Sequence, residues 1–100
     1  MKIVDAKEFD IEISKETVFV DFYADWCGPC KMMTPIVEEI EKEKTDIKFI
    51  KVNVDNAEEI AMRYGIMSIP TFILFRNGTL VSKIVGGRSK QEIINFIEGK

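Results

Sequence analysis

Histidine is absent from these 100 residues, and cysteine occurs only twice. Without histidine, no Cys-His nucleophile pair of the protease kind can be assembled. A tetrahedral zinc site needs four ligands, so two cysteines would complete one only with carboxylates or with a second subunit. Basic residues are not in excess either. The 14 Lys and Arg against 17 Asp and Glu leave a net charge of -3, and no basic cluster tracks a phosphate backbone, so nucleic-acid binding is not expected. No stretch approaches the roughly 18 consecutive apolar residues of a membrane span. The first residues, Met1 to Glu8, lack the apolar run of a signal peptide. The expectation is a cytoplasmic chain, where a close cysteine pair is more often redox or metal chemistry than a structural staple. Internal repeats, low-complexity tracts and linkers are also missing. With 46% hydrophobic and 31% charged residues, positions 1–100 fit a single domain large enough to bury its own core.

The chemistry that is present is concentrated in Trp26-Cys27-Gly28-Pro29-Cys30-Lys31, which sets both cysteines three positions apart. Residues at that spacing on a helix lie roughly 5 to 6 Å apart, within the Cα separation a disulfide tolerates. Pro29 suits a first helical turn, where its missing N–H costs nothing, and Gly28 lets the chain turn sharply into it. Met33, Ile36, Val37 and Ile40 continue as one helix face. This places Cys27 at a helix N-terminus, where free N–H groups and the macrodipole favour a thiolate, and Cys30 one turn further in. Cys27 is then the expected nucleophile on a substrate disulfide, and Cys30 the thiol that resolves the mixed disulfide. A purely structural bridge is the bland alternative, and closing a loop of about four residues stabilises by only roughly 2 kcal/mol.

The remaining elements alternate. A short strand near Lys2 to Val4 precedes a first helix with Phe9 and Ile13 on one face, Asp5 and Glu8 being spaced as a capping box. Thr17 to Tyr23 is β-rich and apolar on both parities, as expected of a strand covered on two faces. The long helix from about Pro29 to Lys44 contains Pro35, which should kink it. Ile47 to Asn53 is a further covered strand. Asp55 with Glu58 should cap a third helix that Gly65 ends. Thr71 to Arg76, Asn77-Gly78 and Thr79 to Val85 form a hairpin with a type I′ turn. Ser89 with Glu92 caps a last helix that buries Ile93, Phe96 and Ile97. The order implies an α/β architecture, a central sheet with helices on both faces.

The run Val20 to Lys31, with Lys51-Val52-Asn53-Val54-Asp55, Tyr64-Gly65-Ile66, Ile69-Pro70-Thr71 and Asn77-Gly78, resembles the thioredoxin family over nearly the whole chain. That resemblance implies the thioredoxin fold: a five-stranded mixed sheet of order 1-3-2-4-5, strands 4 and 5 antiparallel to the rest, with four helices. It implies a protein-disulfide reductase that binds no metal or cofactor, acts as a monomer on disulfide-containing proteins, and receives electrons through a thioredoxin reductase. Two departures stand out. Tyr23 occupies a position where many members have tryptophan, and Ser68 one where they have glycine. Neither is expected to touch the redox pair, but Ser68 lies in the loop implied to face the reductase.

Carried over residue by residue, the resemblance also gives roles to side chains whose local reading is open. Asp21 sits in the packed run Val18 to Tyr23, where burial raises its pKa. The family role is proton transfer at the resolving thiol; the alternative is a carboxylate that bonds a nearby backbone group. Lys51 matches the lysine facing that Asp, or is an ordinary snorkelling lysine. Pro70 matches a cis proline against the disulfide, with the preceding backbone free to pair with a substrate strand; locally it is simply a proline opening a strand. An apolar docking surface is implied for Trp26, Gly28, Pro29, Ile66, Ile69, Val85, Gly86 and Gly87. Trp26, a large ring before a cysteine expected to be exposed, is otherwise a core residue, and the glycines otherwise end a strand. Two other functions fit the same residues: a disulfide oxidase or isomerase, whose members usually carry histidine between the cysteines, and a redox-independent subunit that docks through the groove beside Pro70.

Overall fold

A computed structural model describing residues 1–100 contains β1 (Lys2–Ile3), α1 (Phe9–Ile13), β2 (Thr17–Tyr23), α2 (Gly28–Glu43), β3 (Lys48–Asn53), α3 (Glu58–Arg63), β4 (Thr71–Arg76), β5 (Thr79–Val85) and α4 (Lys90–Glu98). The strands make one sheet of order β1-β3-β2-β4-β5. Strand sense departs from the expectation at one edge. β1, β3 and β2 pair in parallel, and β4 pairs antiparallel both with β2 and with β5. Only β4 is therefore reversed, and β5 runs with the other three. The hairpin requires this: Asn77 and Gly78 both have positive φ, 51° and 82°, the type I′ geometry that folds β5 back along β4.

Side-chain alternation along β2 builds the two faces. Val18, Val20 and Phe22 enter a cluster with Phe9 and Ile13 of α1 and Ile60 of α3. Phe19 enters the opposite cluster, with Met33, Val37 and Ile40 of α2 and Ile93 and Ile97 of α4. Asp21, between Phe19 and Tyr23 in that alternation, faces the α2 layer. Phe96, expected in the core, is only half-buried; it meets Phe19 edge-on at 6.3 Å, at the margin of the α4 stripe.

Helix ends hold further corrections. Ser89 and Glu92 form the expected capping box. At α1, the Glu8 N–H donates to the Asp5 carboxylate at 2.9 Å, but that bond closes the turn before the helix, which begins at Phe9 without a side-chain cap. Asp55 does not cap α3, whose N-cap is Ala57. Gly65 ends α3 as expected: at φ 62° it lets its own N–H reach Met62 O and the Ile66 N–H reach Ala61 O, a Schellman arrangement. α2 stays continuous through Pro35. No helix is long and apolar enough to cross a membrane.

Candidate active site

Cys27 and Cys30 form a disulfide with Cα atoms 5.3 Å apart, within the range such a bond accepts. Cys27 is the N-cap of α2, in extended backbone conformation, and its sulfur accepts the Cys30 N–H at 3.1 Å. It therefore sits where the orphan N–H groups and the positive end of the helix dipole converge. Cys27 was expected to be exposed, but it is only 3% accessible. Tyr23, Ala24, Val54 and Ile69 pack around the pair and cover it, so Tyr23, expected to stand clear of the redox pair, packs against it.

The Ile69-Pro70 bond is cis. It sets the Ile69 carbonyl oxygen 3.9 Å from Cys27 Sγ. Pro70 is buried, and its carbonyl accepts the Gly86 N–H at 2.8 Å, so the turn after β5 is tied to the proline loop. The Ile69 N–H finds no partner within the chain. Gly86 ends β5 at φ 93°, a conformation that favours glycine. Gly87 follows in the open, and Val85 is exposed beside them. Ile66 is drawn partly inward, against the α1/α3 core.

Trp26 is 71% exposed and is no core residue. Its indole N–H donates to the Asp55 carboxylate at 2.8 Å, and the Asp55 N–H is itself held by Asn53 Oδ1 at 2.9 Å. Asp55 is the expected cap of α3 that instead holds this indole; its spacing from Glu58 imitates a capping box. Lys83 was also missed: from β5 its ammonium donates to the carbonyls of Tyr64 and Gly65 at 3.0 and 3.3 Å. It thereby braces the end of α3 from which the proline loop departs. No local pattern announces either bond.

Asp21 is 2% exposed, and its Oδ1 has no hydrogen-bond partner. Desolvation pushes its pKa up to about 7, and the Lys51 charge opposes that rise. Lys51 is its direct register partner on β3, yet the two form no ion pair; the ammonium lies over the Tyr23 ring, 4.3 Å from the centroid. Tyr23, Cys30, Lys31, Thr34 and Lys51 wall a depression of about 340 Å3 on the α2 side of the sheet. Cys30, the lysine and the strand that carries Asp21 thus converge on one spot. A buried disulfide on a helix N-terminus, the residue before a cis proline packed against it and a carboxylate of raised pKa beneath that helix form a site for thiol-disulfide exchange.

Comparison with known proteins bears on that geometry. The thioredoxin family model matches residues 1–99. This chain belongs to the thioredoxin family. It is 43% identical to the thioredoxin of Chlamydia caviae over 97% of this chain and 95% of that one. It is 44% identical to the thioredoxin of Bacillus subtilis, over 95% and 97%. Among solved structures, Plasmodium falciparum thioredoxin superposes with a TM-score of 0.93 at 42% identity, covering 99% of this chain and 98% of that one. Mitochondrial thioredoxin 3 of Saccharomyces cerevisiae, in its oxidised form, gives 0.92 at 32%, covering 100% and 95%. This member of the thioredoxin family is a thiol-disulfide oxidoreductase that reduces protein disulfides through its Cys27–Cys30 pair.

Proposed function

We propose that Cys27 is the attacking sulfur and Cys30 the resolving one. The observation that carries the assignment is the capping position of Cys27, where its sulfur already accepts the Cys30 N–H at 3.1 Å and the helix terminus favours negative charge. In the reduced protein, the Cys27 thiolate attacks one sulfur of a substrate disulfide, forming a mixed disulfide and releasing the first substrate thiolate. Cys30 loses its proton and attacks Cys27 Sγ, which breaks the mixed disulfide and releases the second thiolate. The substrate disulfide gains two electrons, its two thiolates are protonated from water, and the protein, having shed the Cys30 proton, is left with the Cys27–Cys30 bond.

Asp21 is the acceptor for the Cys30 proton, through water in the depression beside Lys51. A carboxyl with a pKa of about 7 can both take and return a proton near neutrality. Lys51 keeps that affinity from rising further. The substrate segment lies along Ile69, whose unpaired N–H offers a main-chain donor beside the disulfide. Trp26, Gly28, Pro29, Ile66, Val85, Gly86 and Gly87 form the surrounding surface, and Pro70 holds the loop against the cysteines. The chain works as a single monomeric domain in the cytoplasm on disulfide-bearing proteins, and a thioredoxin reductase returns it to the dithiol.

The test is a trap. Reduced Cys30→Ser mixed with insulin should accumulate a covalent adduct at Cys27, whereas Cys27→Ser should accumulate none. An adduct formed equally by both variants would reverse or abolish the assignment.

A further inference from the structure

We infer that the groove between the first turns of α2 and the Gly87–Ser89 segment is a specificity subsite, which takes one large apolar side chain of the substrate segment flanking the attacked disulfide. This rests on the docking arrangement proposed above and extends it to Met32, Met33, Ile36 and Arg88, which that arrangement leaves unused.

The groove encloses about 300 Å3, roughly ten waters at their liquid volume and room for one large side chain. It is continuous with the redox site at both walls. Pro29, between the cysteines, forms one wall, and Gly87 the other; Gly87 follows Gly86, whose N–H is bonded to Pro70 O. A substrate chain lying across the disulfide and the proline loop passes its mouth. A Cβ at position 87 would have only the Met33 sulfur near it, at 4.0 Å, so the glycine keeps this wall open.

The chemistry of the lining selects the occupant. The floor is Met32, Met33 and Ile36. Met33 is buried, but Met32 is 75% exposed, and unbranched thioethers adapt to side chains of different shape. The rim is polar, yet its groups are already engaged within the chain. Ser89 Oγ accepts the Glu92 N–H and the Glu92 carboxylate accepts the Ser89 N–H, both at 3.1 Å. The Arg88 N–H points to Met33 Sδ at 3.4 Å, and its guanidinium donates to Val85 O at 3.0 Å and stands 3.7 Å from the Glu92 carboxylate. An acidic side chain would compete with Glu92, and a neutral polar one would exchange water for rim groups that already carry bonds within the chain, with little net gain. A leucine, phenylalanine or methionine needs none and gains from covering the floor.

The experiment uses the full reduced chain and synthetic peptides with one internal disulfide, in which Leu or Ser is placed in turn at each of the three positions either side of the attacked cysteine. At one position the wild-type chain should reduce the Leu peptide roughly fivefold faster in kcat/KM than the Ser peptide, about 1 kcal/mol. Met32→Gln, a substitution at an exposed site, should cut that preference below twofold. If no position shows a preference, or if the preference survives Met32→Gln, the subsite is wrong. Trapping of the same peptides on Cys30→Ser separates the two levels. Peptides captured without Leu preference sink the subsite alone, and peptides neither captured nor reduced sink the docking arrangement with it.

Discussion

The indole N–H of Trp26 donates to the Asp55 carboxylate at 2.8 Å, which ties the residue before Cys27 to the turn that follows β3. A ring 71% exposed has little packing to orient it, so this bond, with Asn53 holding the Asp55 backbone, supplies the orientation. A large apolar plate is thereby presented beside the disulfide.

Asp55→Ala should free that ring. Trp26 is the single tryptophan, so the steady-state anisotropy of intrinsic fluorescence reports on it alone and should fall. The kcat/KM for a disulfide-bonded protein should fall about three- to tenfold, the worth of one hydrogen bond of roughly 1 kcal/mol. Asp55→Asn, which keeps an acceptor oxygen, should recover most of both. Unchanged anisotropy in Asp55→Ala would mean that packing, not the bond, holds the indole.

Asp21 makes stability depend on pH with a definite sign. Its folded pKa, about 7, lies above the ordinary 3.8, so between those values the folded chain binds a proton that the unfolded chain releases. Stability therefore falls as pH rises through that window and is lowest above it. Asp21→Asn removes the buried charge and should raise the unfolding free energy most at about pH 8, by an amount on the order of 2 kcal/mol, with a matching rise in Tm, and little at about pH 4. The same variant should slow disulfide exchange near neutrality. Exchange rates equal to wild type from about pH 6 to 8 would remove Asp21 from proton transfer.

How much of this was legible in the sequence divides by range. Cys27, Gly28, Pro29 and Cys30 determine their helix start by local stereochemistry, and the Ser89/Glu92 box and the Asn77-Gly78 turn are likewise short-range, so all three read correctly. Asp55 read incorrectly because an Asp three residues before a Glu is a capping pattern, while its actual partner is an indole 29 positions away. The cis state of Ile69-Pro70 has no local signature and entered only through resemblance. The sense of β5 was decidable: a two-residue hairpin after a reversed β4 returns β5 to the direction of the other strands. Burial of Cys27 was not, because Val54 and Ile69, which cover it with Tyr23 and Ala24, arrive from distant segments.

The hairpin tip supplies a stability prediction. Asn77 holds φ 51° and its side chain accepts the Glu16 N–H at 3.1 Å, while its own N–H donates to Glu16 O at 3.0 Å. Asn77→Ala loses the acceptor and places an alanine in the left-handed region, which Asn tolerates better. Denaturant unfolding should show a loss of about 1 to 2 kcal/mol with an unchanged m-value. Asn77→Gly, which keeps the backbone freedom but not the side chain, should lose less. Equal losses in the two variants would assign the whole effect to the Glu16 bond.

Lys51 stands in direct register with Asp21 but spends its ammonium on the face of Tyr23 rather than in an ion pair, so its influence on the carboxyl acts through space. Its positive charge favours the carboxylate and holds the Asp21 pKa below the value that burial alone would set. Lys51→Met retains much of the stem and removes the charge, so the Asp21 titration, followed by carboxyl NMR in the oxidised protein, should move upward. Lys51→Arg should return it toward the wild-type value while keeping a cation over the ring. The rate of disulfide exchange should follow the same displacement, its inflection rising in Lys51→Met and returning in Lys51→Arg. An Asp21 titration that stays near 7 in Lys51→Met would leave the lysine with only its packing on Tyr23, and the high proton affinity of Asp21 would then belong to burial alone.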